Sequence, residues 1–213
     1  MSLKIIKTED GSQSLYDQDL NETYHSTKGA KSESEYVFIK HGLEAIEKPV
    51  IRVLEVGFGT GLNAWLSWEW AERKNVKVDF YTLEPFPIPI ELQTQMELND
   101  DPQFNRIHET EWEKTTKLSD HFTLLKSTKG IESINLKSAF DVIFFDAFAP
   151  SKQPEIWKIG NLRNCFNSLE SGGILTTYCA QGQFKRDMKE VGFELQVLPG
   201  ALGKKEMVRG LRP

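Results

Sequence analysis

The residues of this chain best suited to chemistry are three glycines and three acids. Each of them falls where a strand should end. The glycines lie in LEVGFGTGLN, residues 54–63, as Gly57, Gly59 and Gly61, with Glu55 just ahead of them. Glycine lets the backbone turn tightly and approach a ligand with no Cβ in the way. Leu62 and Asn63 then open a helical stretch, whose first amide groups can donate to an anion. The spacing is GxGxG, not the GxGxxG of dinucleotide-binding loops. Glu55 narrows the choice, because a carboxylate at the loop's mouth would repel a pyrophosphate. The ligand that fits has no phosphate and carries cationic as well as anionic groups. S-adenosylmethionine (SAM), with an ammonium, a sulfonium and a carboxylate, has that make-up.

The other two acids complete the pattern. Glu84, in YTLEP, lies 29 residues beyond Glu55. At the end of the next strand it can accept from both hydroxyls of a ribose. Asp146, in FFDAFAP (residues 144–150), leaves an intensely apolar strand. Burial would raise its pKa and a nearby cation would lower it. An aspartate there can orient an amine and take its proton, while Ala147, Phe148 and Pro150 shape a narrow apolar wall. Tyr24, His25, Ser26 and Glu33 bring further polar groups together just before a helix expected at residues 30–46. Trp65, Trp68 and Trp70 suit helix packing, and Cys165 and Cys179 suit the core as small apolar residues. No Cys/His cluster has zinc spacing, so no metal is expected. No nucleophile elbow is present.

These residues need a scaffold that brings strand ends together. Strands are expected at Val50–Val56, Val78–Leu83, Phe122–Leu125, Asp141–Phe145, Gly173–Tyr178, Glu194–Leu198 and Met207–Leu211, with short pieces at Lys4–Thr8 and Ser14–Tyr16. VIRVLEV and DVIFFD read as strands buried on both faces. Helices are expected at Leu62–Lys74, Ile88–Asn99, Ile156–Leu169 and Gln183–Val191. The alternation predicts an α/β fold with a mostly parallel seven-stranded sheet. PGALGKK, between the last two strands, suits a turn and an antiparallel C-terminal strand. Ligands of such sheets bind beyond the carboxyl ends of the strands. Residues 1–48 read as an extension on the substrate side and 49–213 as the ligand-binding domain.

The bulk properties agree. The chain has 213 residues, net charge −5, 39% hydrophobic residues and a mean hydropathy of −0.43. No apolar run approaches the ~20 residues of a membrane helix, and the N-terminus does not read as a secretory signal. A cytoplasmic protein is expected, with no membrane partner. Residues 1–150 carry net −9 and residues 151–213 net +4. The late basic group, Lys204 and Lys205 in particular, is a candidate face for an anionic macromolecule.

EVGFGTGLN, LEPFPI, FFDAFAP with the following PEIW, and LPGALGKKEMVRG occur in the order seen in the methyltransferase domain of the MnmC family, which the chain resembles over nearly its whole length. YHSTKGAKSESEYVFI looks like that domain's opening segment. The resemblance implies a class I SAM-dependent methyltransferase fold, Rossmann-like, and N-methylation of 5-aminomethyl-(2-thio)uridine at the wobble position of tRNA. It implies that Glu55, Gly57, Gly59, Gly61, Leu62, Asn63 and Glu84 hold SAM. Asp146, Phe148 and Pro150 would border the methyl and the incoming amine. Tyr24 and His25 would face the base, and Lys204 and Lys205 the phosphates. Two departures stand out. The family carries a flavin-dependent oxidase domain after the methyltransferase; the sequence stops at Pro213, so FAD chemistry is expected on a separate partner, if anywhere. The family also often has an acid near the adenine after the third strand, where this chain has Ser127, Thr128 and Lys129. Two alternatives are a SAM-dependent methyltransferase of a small-molecule amine and a non-catalytic SAM- or RNA-binding module.

Overall fold

The computed structural model describes residues 2–96 and 100–213. The chain opens with an antiparallel three-stranded sheet, β1 (Leu3–Lys7), β2 (Gln13–Asp17) and β3 (Glu22–Thr23). Helix α1 (Ala30–Ser34) runs straight into a π-helical stretch at Glu35–Lys40, followed by a 3-10 turn at Leu43–Ala45. The single helix expected at 30–46 is therefore broken at Gly42. A Cβ there would lie 2.1 Å from the Phe38 carbonyl oxygen, so the close approach needs glycine.

The ligand-binding part then alternates. Its elements are β4 (Val50–Val56), α2 (Leu62–Lys74), β5 (Lys77–Leu83), α3 (Ile90–Gln93), α4 (Pro102–Glu109), β6 (Thr116–Lys117), β7 (Phe122–Ser127), β8 (Phe140–Phe145), α5 (Ile159–Ser168), β9 (Leu169–Thr177), α6 (Gly182–Val191), β10 (Glu194–Pro199) and β11 (Glu206–Leu211). They form one sheet in the order β10-β11-β9-β8-β4-β5-β7-β6. The five strands from β9 to β7 are parallel; β6, β11 and β10 pair antiparallel with their neighbours. All seven expected strands are present, and the two-residue β6 adds an eighth at one edge. It is too short to carry a periodic signal.

β8 shows why the core straddles the sheet. All six of its residues, FDVIFF, are buried. Val142 and Phe144 face one apolar layer, with Phe38, Trp68, Phe80 and Phe122. Ile143 and Phe145 face the other, with Leu54, Trp157, Leu162 and Phe184. The period-2 alternation of a strand divides one apolar run between two layers. In the first layer Trp68 stacks on Phe122 with ring centroids 5.6 Å apart, so the α2 tryptophans pack as expected. Cys165 and Cys179 are buried free thiols in the second.

Two helices differ from expectation. Helix α3 covers only Ile90–Gln93 of the stretch expected at Ile88–Asn99, whose last residues, 97–99, lie outside the described residues. Helix α4 is an addition. Its start is set by Asp101, whose carboxylate accepts from the backbone N–H of Gln103 at 2.8 Å and of Phe104 at 3.1 Å, with Pro102 in the first turn. No helix among the described residues is long and apolar enough to cross a membrane.

Candidate functional site

From β4 the chain passes to β5 and β7 on one side and only then to β8 on the other. The strand order thus reverses between β4 and β8, and a crevice opens beyond their carboxyl ends. Gly57 follows β4, Glu84 follows β5, Asp146 follows β8 and Tyr178 follows β9.

The glycine loop is made by its glycines in the strict sense. Gly57 has φ +95°, and a Cβ there would sit 2.4 Å from the Asp146 carbonyl oxygen. Gly59 has φ +50° and packs on Tyr24, which a Cβ would approach to 3.1 Å. The loop is tied to its surroundings at both ends. Gly57 N–H donates to the Leu83 carbonyl at 3.0 Å, and Gly59 N–H donates to the Glu84 carboxylate at 3.0 Å. The other Glu84 oxygen accepts from Phe86 N–H at 3.0 Å. Burial raises the Glu84 pKa, against the pull of these amides. The Phe58 amide bears on it as well, and of its four acceptor sites one is left for a ribose hydroxyl.

Two cavities meet here. The larger, about 510 Å³, runs along the glycine loop past Glu84 to Gly130, Ile131 and Glu132. The smaller, about 220 Å³, lies under the N-terminal segment and reaches Glu33, Tyr178 and Lys204. Four residues line both: Tyr24, His25, Asp146 and Phe148. Tyr24 meets Phe148 edge to face, with centroids 4.8 Å apart. His25 Nδ1 bonds the Ser14 hydroxyl at 2.9 Å, and burial pushes its pKa down to about 4, so the ring is neutral at pH 7.

Asp146 is the pivot. Asn63 Nδ2, on the first turn of α2, donates to its Oδ2 at 2.8 Å. Its depth pushes the carboxyl up to about 7; the Glu33 charge acts in the same direction, while the Asn63 amide and Lys204 act against it. The loop that carries it is pinned through main-chain carbonyls. Tyr178 donates its hydroxyl to Ala147 O, and Trp157 donates Nε1–H to Phe148 O, each at 2.8 Å. Lys152, on the same loop, donates to the carbonyls of Leu20 and Asn21 and so ties it to the N-terminal sheet.

Not every expected residue reaches a cavity wall. Glu55 is fully buried behind the loop, where Oε2 accepts from the Thr82 hydroxyl at 2.6 Å and Oε1 has no partner. Burial raises its pKa well above the usual carboxylate range, and the Asp146 charge adds to this. Gly61 and Leu62 line neither cavity, and Pro150 gives way to Ala149 on the smaller one. Lys204 and Lys205 are both exposed, but Lys204 carries its ammonium onto Glu33. At the far end of the larger cavity the Ser127 and Thr128 hydroxyls are taken by Glu113, so Ile131 and Glu132 form the wall instead. Sequence reasoning passed over Glu132 and Tyr178, though Tyr178 directly follows a strand end.

A SAM-sized ligand fits these features. The loop brings the bare backbone of Gly57 and Gly59 to the cavity wall, and the larger cavity is lined by Asp17, Glu84, Glu132, Asp146 and Glu155 against Lys158. This balance favours a cationic ligand over a pyrophosphate. The fold and the site together define a SAM-dependent methyltransferase. The chain belongs to that family: the family model described as S-adenosyl-L-methionine-dependent methyltransferase matches residues 95–213. Within it the chain is a homologue of the methyltransferase domain of MnmC. It is 24% identical over 214 residues to the tRNA 5-methylaminomethyl-2-thiouridine biosynthesis bifunctional protein MnmC of Methylobacillus flagellatus, covering 92% of this chain and 33% of that protein. The same-named protein of Leptospira interrogans is 27% identical over 218 residues, with 91% and 33% covered. The chain thus spans about a third of the length of the curated relatives it matches. The solved structure of MNMC2 from Aquifex aeolicus superposes with a TM-score of 0.81 at 22% identity, covering 100% of this chain and 70% of that one. A spermidine synthase structure shares the fold at a TM-score of 0.58 and 14% identity.

Proposed function

We propose that this protein methylates the primary amine of 5-aminomethyl-(2-thio)uridine at the wobble position of tRNA. The observation that carries the reading is the junction of two cavities at Asp146. One runs along the glycine loop past Glu84, where we place SAM; the other opens toward the N-terminal segment and holds aromatic and acidic walls. Bound SAM supplies an electrophilic methyl on a sulfonium, and direct displacement by an amine depends mostly on alignment. The residues at the junction provide that alignment. Phe148 and Tyr24 confine the amine, and Asp146 holds its N–H bonds. An alkylamine enters as the ammonium, with an intrinsic pKa of ~10 for the comparable lysine group. One proton must leave before nitrogen has a lone pair. Asp146, with its pKa raised to about 7, is a base matched to that task near neutral pH.

The tRNA assignment is supported by the names of the relatives. Lys205, exposed beside Lys204, is a candidate phosphate contact, and a cytoplasmic setting follows from such a substrate. A flavin-dependent oxidase, on a separate chain or a further segment, would act upstream by releasing the primary amine. Methyl from labelled SAM should appear on tRNA bearing 5-aminomethyl-2-thiouridine and not on tRNA lacking it. Label on neither, with SAM bound by calorimetry, would overturn the tRNA reading in favour of a small-molecule amine.

A further inference from the structure

We propose that Glu33 and Tyr178 join Asp146 in a receptor for the substrate's ammonium, and that Lys204 is a resident cation occupying this receptor until the substrate displaces it. The inference rests on the reading of the site as an amine acceptor and assigns the residues that select the amine.

Glu33, on α1, is only 8% exposed. Its Oε2 accepts from Ser26 N–H at 3.2 Å, and its Oε1 accepts from Lys204 Nζ at 2.5 Å. The same Nζ lies 5.0 Å from the centroid of the Tyr178 ring, whose hydroxyl is fixed on Ala147 O. Glu33, Tyr178, Lys204 and Asp146 all line the smaller cavity. A carboxylate and a ring face on one charge, with the second carboxylate, Asp146, on the wall of the same cavity, make a site for an alkylammonium. The end of the lysine side chain, CH2–NH3+, is the same chemical group as an aminomethyl substituent. Each offers three N–H donors on a tetrahedral nitrogen. What satisfies Lys204 would therefore satisfy the substrate, and the receptor has room for one such charge.

Lys204 is also placed to leave. It sits on the connection between β10 and β11, and its side chain is 40% exposed. Withdrawal needs only rotation of a stem already partly in water; its cost falls on Glu33, whose buried charge is left without a cation until the amine arrives. Asp146 and Glu33 would then be left facing each other until the incoming amine restores the balance.

The test titrates n-butylammonium into the full chain saturated with SAM, with butan-1-ol as the neutral control. If Lys204 holds the receptor about nine-tenths of the time, Lys204→Ala should tighten butylammonium binding about tenfold. Glu33→Gln in the Lys204→Ala background should erase the gain, and butan-1-ol should show none. With aminated tRNA, Lys204→Ala should lower KM. Equal butylammonium affinity in wild type and Lys204→Ala would overturn the proposal. So would a raised KM with a shallower salt dependence and no gain for butylammonium, which would make Lys204 a phosphate contact. Should the alanine variant not fold, Lys204→Gln carries the same comparison. Butylammonium needs no tRNA, so competition by Lys204 without tRNA methylation would support the receptor while removing the tRNA assignment.

Discussion

Asp141 and Asp146 stand at opposite ends of one strand, five residues apart, and the protein treats them in opposite ways. Asp141 lies at the amino end of β8, 1% exposed. Burial pushes its pKa up, but Arg52 and Lys48 more than offset this. Arg52 donates Nε and Nη2 at 3.1 and 3.0 Å as well as its backbone N–H, and Lys48 donates at 2.6 Å, so the carboxyl is held below its usual range. Asp146, at the carboxyl end, receives a neutral amide and faces another carboxylate, and its pKa rises to about 7. The strand supplies depth at both ends; the partners decide the charge. One end is finished as structure, and the other is left with a demand that a ligand can meet.

The contrast can be broken or sharpened by the same substitution at each end. Asp146→Asn should lower kcat by about 10²–10⁴-fold, the span of a lost general base, while SAM affinity measured by calorimetry changes little. Near-wild-type turnover would end the distinction. Asp141→Asn should instead cost about 2–3 kcal/mol in urea unfolding, the scale of lost charged hydrogen bonds, with turnover per folded molecule unchanged. A loss of turnover there would mean that the two ends are coupled through β8.

The last comparison is in pH. Asp146 binds its proton more tightly folded than unfolded. Its stabilising share is therefore full below pH ~4 and is lost as pH rises through about 7. Asp141 has the opposite sign. Its share is present above the usual carboxylate pKa and is lost as pH falls through its lowered folded value. Stability curves of each variant minus wild type should slope in opposite directions, by at most about 1.4 kcal/mol per pH unit for one proton. Parallel curves would show that the two carboxyls titrate alike.

Much of this was legible in the sequence, because the signals are local. The strand–glycine–helix run, the acid after β5 and the apolar run ending in Asp146 each lie within ten residues. What stayed hidden depends on distance in the chain. Glu33 and Lys204 are separated by 171 positions, and nothing local to either announces the other. Glu55 misled for a different reason. It is the penultimate residue of a central parallel strand, and such residues are covered on both faces, so an acid there is sealed in before the chain reaches the crevice. Helix α4 did carry a start signal, Asp101–Pro102. Its apolar face is only Phe104 and Ile107, too sparse for a periodic pattern. The two-residue β6 and the π-helical stretch after α1 follow from packing alone.

The loop after β8 is held by Tyr178 and Trp157 through the carbonyls of Ala147 and Phe148. A backbone anchor does not depend on which side chain the anchored residue bears. Positions 148 and 149 can therefore be exchanged while the path of the loop, and with it the placement of Asp146, is kept; Ala147 is itself part of the core. In evolutionary terms the wall of the smaller cavity is free to drift while the frame that places Asp146 stays fixed. A fold built this way can change what its cavity admits by a few substitutions in a single short loop.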